Sequence, residues 1–220
     1  DCFDKVLVRV SGDQRLPRRP AAAKLRERAG EFVASFSYHD RLAGKPIHDE
    51  QGTYDRPHDL ICRYDPQTLD RILAELGSHP WLGKRPTFAV MLDVERSGQT
   101  YRVSADSQRD LAMRESFALG AAPLAMSVSF PSSNVVDRLD MDKSADAAEF
   151  KTAARDAGAD LPLIGHLRWS DRDLGWVAEW RFAVAGKTYA WMVRGVNFDE
   201  AFRVALRGAA QILSGNGAPK

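Results

Sequence analysis

The feature that most constrains this chain is a change of hydrophobic period along its second half. Residues 87–95 (TFAVMLDVE) form an unbroken apolar run of strand length. Residues 108–120 carry helical spacing, 123–130 read as a second strand, 145–157 as a helix closed by Gly158, and 161–169 as a third strand. Such alternation builds βαβ units, and hence at least three parallel strands in right-handed connection. From Leu174 the period drops to two. Trp176, Ala178, Trp180, Phe182 and Val184 share one face, and Val177, Glu179, Arg181 and Ala183 the other. After the Ala185-Gly186-Lys187 turn, Tyr189, Trp191 and Val193 alternate on a return strand. Asn197, with Glu200 three residues on, fits a capping box for a closing helix. That helix places Phe202, Ala205, Leu206, Ala209, Ile212 and Leu213 on one side. The predicted fold class is α/β (α+β), with a mixed sheet of order βαβαβββα over residues 86–214, helices packed on it, and a disordered tail at 215–220.

A different pattern precedes it. Residues 2–10 and 20–34 have one apolar stripe each at helical spacing, with Pro20 near a first turn. Residues 36–42 and 59–64 read as strands joined by a turn-rich stretch, and Asp65-Pro66 opens a helix ending at Gly77. Residues 1–82 are therefore expected to form a small α+β domain of helices plus a β-hairpin. The segment 78–86 (SHPWLGKRP), with two prolines and a glycine, is the expected boundary.

Composition narrows the function classes. With 44% hydrophobic and 28% charged residues the chain has enough apolar material to bury a core. The 31 basic and 30 acidic residues balance, so no nucleic-acid partner is implied. No apolar run approaches the roughly 20 residues of a membrane helix, and the chain is expected not to be transmembrane. Its opening reads as the interior of a helix, and an export signal is expected ahead of Asp1. Cys2 and Cys62 are either two buried thiols or one disulfide, the latter requiring an oxidising compartment.

Candidate chemistry is sparse. His39-Asp40, His48-Asp49 and His58-Asp59 offer metal-ligand side chains, but at the spacing of no tight motif, so polar loop and strand decoration is the competing reading. Asp137, Asp140 and Asp142 follow a parallel strand, where carboxylates can hold magnesium and phosphate. No glycine-rich phosphate loop accompanies them, so the preferred reading is a solvated loop capping the helix that starts near Ala145. The basic run Arg15, Arg18, Arg19, Lys24, Arg26 and Arg28 lacks interleaved aromatics and reads as the wet side of a helix. Serine-nucleophile motifs are absent, Cys2 lacks an electropositive setting, and His166 beside Arg168 reads as strand packing. No cofactor is expected. Two surfaces remain. One is a ligand site beyond the carboxyl ends of the parallel strands, near Asp93, Glu95, Ser129 and Asp137. The other is the largest apolar face, marked by Trp169, Trp176, Trp180 and Trp191, to be covered by the closing helix or by a partner.

The stretch from Val6 to Asp13 (VLVRVSGD) resembles the start of an uncharacterised bacterial family, domain of unknown function 2066. Ala159–Gly165, Trp180, Gly195–Ala201 and Gly208–Ala210 look like that family's closing region. The resemblance implies an exported, periplasmic protein of Gram-negative bacteria, with no catalytic residues to carry over. The second half is also similar, in order of elements, to the amino-terminal domain of TolB, a protein-interaction module of the cell envelope, although no propeller repeats follow here. Together these imply a non-enzymatic binding or assembly module with an envelope protein as partner. A small-ligand or nucleotide-binding domain is the alternative, and a metal-dependent hydrolase a third reading.

Overall fold

A computed structural model describes residues 2–44 and 57–219. The chain separates into two units, residues 1–11 with 15–80, and 12–14 with 81–220.

In the first unit, α1 (Cys2–Ser11) buries Phe3 and Leu7 one turn apart, and its last hydroxyl, of Ser11, donates to Leu7 O at 2.7 Å. Helix α2 (Pro20–Glu27) stops well short of the expected residue 34 and gives way to a 3-10 turn at Ala29–Phe32. Gly30, disfavoured in a helix interior by about 1 kcal/mol, lies in that turn. Strands β1 (Val33–Asp40) and β2 (His58–Tyr64) pair antiparallel as a two-stranded ribbon. Asp65 caps α3 (Pro66–Glu75) by accepting the Thr68 N–H at 2.8 Å. Phe3, Leu7, Leu16, Ala22, Leu25, Ile72, Leu73 and Leu76 form one small core. Cys2 and Cys62 form a disulfide that ties α1 to β2 across 60 residues.

The second unit is a six-stranded mixed sheet with helices packed on it. Its central strand, β3 (Thr87–Arg96), turns through Ser97-Gly98 into β4 (Gln99–Arg102). Helix α4 (Leu111–Ala121) leads to β5 (Ser127–Ser129). Two helices follow, α5 (Ser133–Val136) and α6 (Ala148–Asp156), then the long strands β6 (Leu161–Ser170), β7 (Gly175–Val184) and β8 (Lys187–Val196), and finally α7 (Phe198–Leu213). The order is β4-β3-β6-β7-β8. Strand β5 lies parallel on the first half of the β3 edge, whose second half β4 occupies, and β6 lies parallel on the other side. The three parallel strands and the antiparallel meander therefore stand as expected. The expected order βαβαβββα is corrected by one added strand, β4, and one added short helix, α5. The cause is the Ser97-Gly98 turn: both residues have positive φ (52° and 74°), the geometry that closes a two-residue hairpin.

Each sheet face has its own cover. Met91 and Ala89 of β3 and Ile164 of β6 pack with Phe150, Ala153 and Ala154 of α6. On the opposite face, Trp180 meets Phe117 of α4 and Phe202 of α7 at ring separations of 5.8 and 6.2 Å, and Phe117 stacks on Phe202 at 3.9 Å. Asn197 caps α7 by accepting the Glu200 N–H at 2.8 Å. Residues 215–219, expected as a disordered tail, are held against the end of this helix. The Asn216 N–H donates to Gln211 O at 2.9 Å, and the buried Gln211 amide donates to Ala218 O at 3.2 Å. No described helix is long and apolar enough to cross a membrane.

Candidate functional site

The four tryptophans expected to mark an interaction surface are placed differently. Trp176, Trp180 and Trp191 are buried, at 7%, 1% and 7% exposure. Trp180 is covered by Phe117 of α4 and Phe202 of α7, the Trp191 indole N–H donates to Val204 O of α7 at 3.3 Å, and Trp176 packs against Trp169. This corrects the surface reading: the closing helix, not a partner, covers the stripe. Only Trp169, at the far end of β6, is partly open.

The four residues expected at the carboxyl ends of the parallel strands do not make one site. Asp93 is occupied by Arg102 of β4 at 2.9 Å, and Arg102 also donates to Val136 O at 2.6 Å. Asp137 follows directly at the end of α5, near the charge of Arg109. The Ser129 hydroxyl is buried without a hydrogen-bond partner among the described residues. Buried Asp110 accepts from Arg109 at 2.8 Å and from the Ser104 N–H at 3.0 Å, and Arg109 lies 3.8 Å from the Tyr101 ring. The crevice is thus filled by the chain's own pairs, because the unforeseen β4 brings Arg102 back over Asp93. Asp140 and Asp142 belong to the loop before α6. The Asp142 N–H donates to Asp140 at 3.2 Å, and the Asp140 N–H to Glu149 at 3.1 Å.

Glu95 is the exception. It faces His166 of β6 at 3.8 Å. With Arg96, Ser97, Gly98, Trp169 and Asp171 it lines a cavity of about 320 Å³. Two turns form its walls, one after β3 and one after β6. The Arg96 guanidinium lies 5.6 and 6.0 Å from the ring centres of Trp169 and Trp176, which meet edge to face at 5.5 Å. The Trp169 indole N–H donates to Asp171 at 2.8 Å. The Ser-Gly dipeptide between two alternating segments was the sequence signal for this corner.

The ribbon of the first unit offers a surface of another kind. Within β1, residues 34–39 are exposed throughout, with Phe36 at 65% and Tyr38 at 66%. Both share a face with Leu60, and Ile61 is exposed on the other. Phe36, Tyr38 and His58 form a chain of edge-on ring contacts at 6.0 and 6.3 Å. Register sets His39 opposite Asp59 and Asp40 opposite His58. These groups are engaged locally. Arg41 donates to Asp59 at 2.7 Å, and that hydrogen bond holds the carboxyl below its ordinary range, while Asp40 accepts the Leu42 N–H at 2.8 Å. Among the described residues no group of three or more histidine, cysteine or acidic side chains is placed to hold a metal ion, and His48 lies outside the described residues.

No curated protein and no solved structure matches this chain. The likenesses to domain of unknown function 2066 and to TolB find no support in the comparisons. What does match is residues 1–82, which are similar to a different uncharacterised family, described as a domain of unknown function (DUF8605).

Proposed function

We propose that this protein is a non-enzymatic binding or assembly module of the Gram-negative cell envelope, working in the periplasm, and that it docks a partner protein on the β1–β2 ribbon. The observation that carries the reading is the outer edge of β1. Edge strands are ordinarily protected by lysine, proline, inward charges or a covering element. β1 (VASFSYHD) has no lysine, arginine or proline, its one acidic residue stands at its end, and it presents two large aromatic rings to solvent. An extended segment of a partner can add to that edge, main-chain hydrogen bonds supplying affinity and the aromatic face supplying selectivity. The Cys2–Cys62 disulfide supports an oxidising compartment.

The test uses the full chain expressed with an export signal in a Gram-negative host. Phe36 and Tyr38 are replaced together by serine, a surface change expected to alter stability by no more than about 0.5 kcal/mol per site. Wild type is expected in the periplasmic fraction with its thiols oxidised, cross-linked through β1 to a discrete protein that the double variant loses. Equal cross-linking of both proteins, or a chain that folds only with free thiols in the cytoplasm, defeats the reading.

A further inference from the structure

The cavity at the end of β3 and β6 brings together opposite charges that do not neutralise each other. Among the described residues the Arg96 guanidinium has no hydrogen-bond or ion-pair partner. It lies near the faces of Trp169 and Trp176, and its charge also reaches the Tyr101 hydroxyl. Asp171 is fixed through one oxygen by the Trp169 indole N–H at 2.8 Å, and its other oxygen is unengaged among the described residues. One indole therefore orients both groups, the guanidinium by its face and the carboxylate by its edge. Arg96 and Asp171 line the same space of about 320 Å³ without forming an ion pair.

We infer that this cavity is a receptor for a small zwitterion, the size of an α-amino acid or a dipeptide. The ligand carboxylate would sit on Arg96, whose planar fork suits two parallel hydrogen bonds. The ligand ammonium would sit on Asp171, with Glu95 adding negative charge at the rim. A simple anion would have to share the space with two carboxylates, and a simple cation with the guanidinium. Only a ligand carrying both charges meets both donor and acceptor. The volume lies at the small end of ligand pockets. The site rests on the second unit alone and is independent of the ribbon.

The test is calorimetric titration of the 220-residue chain with L-alanine and L-alanyl-L-alanine, followed in parallel by tryptophan fluorescence. Half-open Trp169 should report occupancy. At least one probe should bind with a dissociation constant near ~1 mM, and its N-acetylated and carboxamide forms should each bind at least about tenfold more weakly. Arg96→Gln should lose the carboxylate selection. Asp171→Asn, whose amide oxygen still accepts the indole N–H, should lose the ammonium selection and keep the fold. Three outcomes overturn the proposal: no binding of either probe up to about 10 mM, equal binding of the capped forms, or variants that bind the free probes as tightly as wild type.

Discussion

Gly165, in the middle of β6, shows how single residues set this fold. A Cβ there would stand 2.1 Å from Trp180 Cζ3 and 2.9 Å from Leu92 Cδ1. The Trp180 ring occupies the space a side chain would fill, and at 1% exposure it is packed on all sides. Gly208 of α7 plays the same part for Trp191, whose indole ring atoms would lie 2.7 Å from an added Cβ. A glycine inside a helix costs about 1 kcal/mol in propensity, and here it opens the notch that seats an aromatic ring. Gly165→Ala is accordingly expected to destabilise the second unit by about 3 kcal/mol, the upper range of overpacking. Urea unfolding followed by tryptophan fluorescence measures it, and a shift below about 0.5 kcal/mol would show that the ring can slide aside.

Among the elements, α5 is a single turn pinned from outside. Asp106 accepts the Ser133 hydroxyl at 2.7 Å and the Ser133 N–H at 2.9 Å. Those bonds, the hydroxyl first, together with one from the Ser104 side chain, lower the Asp106 carboxyl from 3.8 to about 2. A depressed carboxylate contributes stability that is complete above its unfolded value and lost as pH falls through the native one. The window here runs from 3.8 down to about 2. Ser133→Ala should move the Asp106 midpoint part of the way back toward 3.8 in a carboxyl-carbon NMR titration and flatten the pH dependence of stability in that window. An unchanged midpoint would mean that the hydroxyl contributes nothing. The elements that could be read from sequence were those with a long, clean period: α1, α3, α7, and the meander β6–β8, where Trp176, Trp180 and Trp191 all fall on the predicted face. What period cannot tell is who covers a face. The same tryptophan stripe suits a partner or a helix, and only α7 lying across it decides. Likewise, the alternation in β1 looks like a half-buried strand, yet among the described residues β1 pairs with β2 alone and Phe36 and Tyr38 stay exposed. Glu95 and Trp169 were both picked out as candidates, but for separate sites. Their meeting depends on β3 and β6 lying side by side and parallel, and on the Ser97-Gly98 turn.

At the scale of the whole molecule, the two units are stabilised by different means. The second has a two-faced sheet with helices on each side, whereas the first has a small core and a ribbon with little cover, and a lone two-stranded hairpin is marginal in water. The Cys2–Cys62 bond joins two residues of the first unit and closes a loop of about 60 residues, worth about 4 kcal/mol in the chain-entropy account. That is a large share of the 5–15 kcal/mol typical of a domain. All five tryptophans (Trp81, Trp169, Trp176, Trp180 and Trp191) lie in the second unit, so their fluorescence reads that unit alone. Reduction, or replacement of both cysteines by serine, should bring forward the part of the far-ultraviolet circular dichroism transition that belongs to the first unit. The tryptophan-detected urea midpoint should stay in place. If both signals move together, the chain unfolds as one cooperative body and the disulfide stabilises the whole. If only the first moves, partner cross-linking through β1 should fall in step with it while amino-acid binding at Arg96 persists, because the bond that anchors β2 also holds the exposed edge of β1 in register.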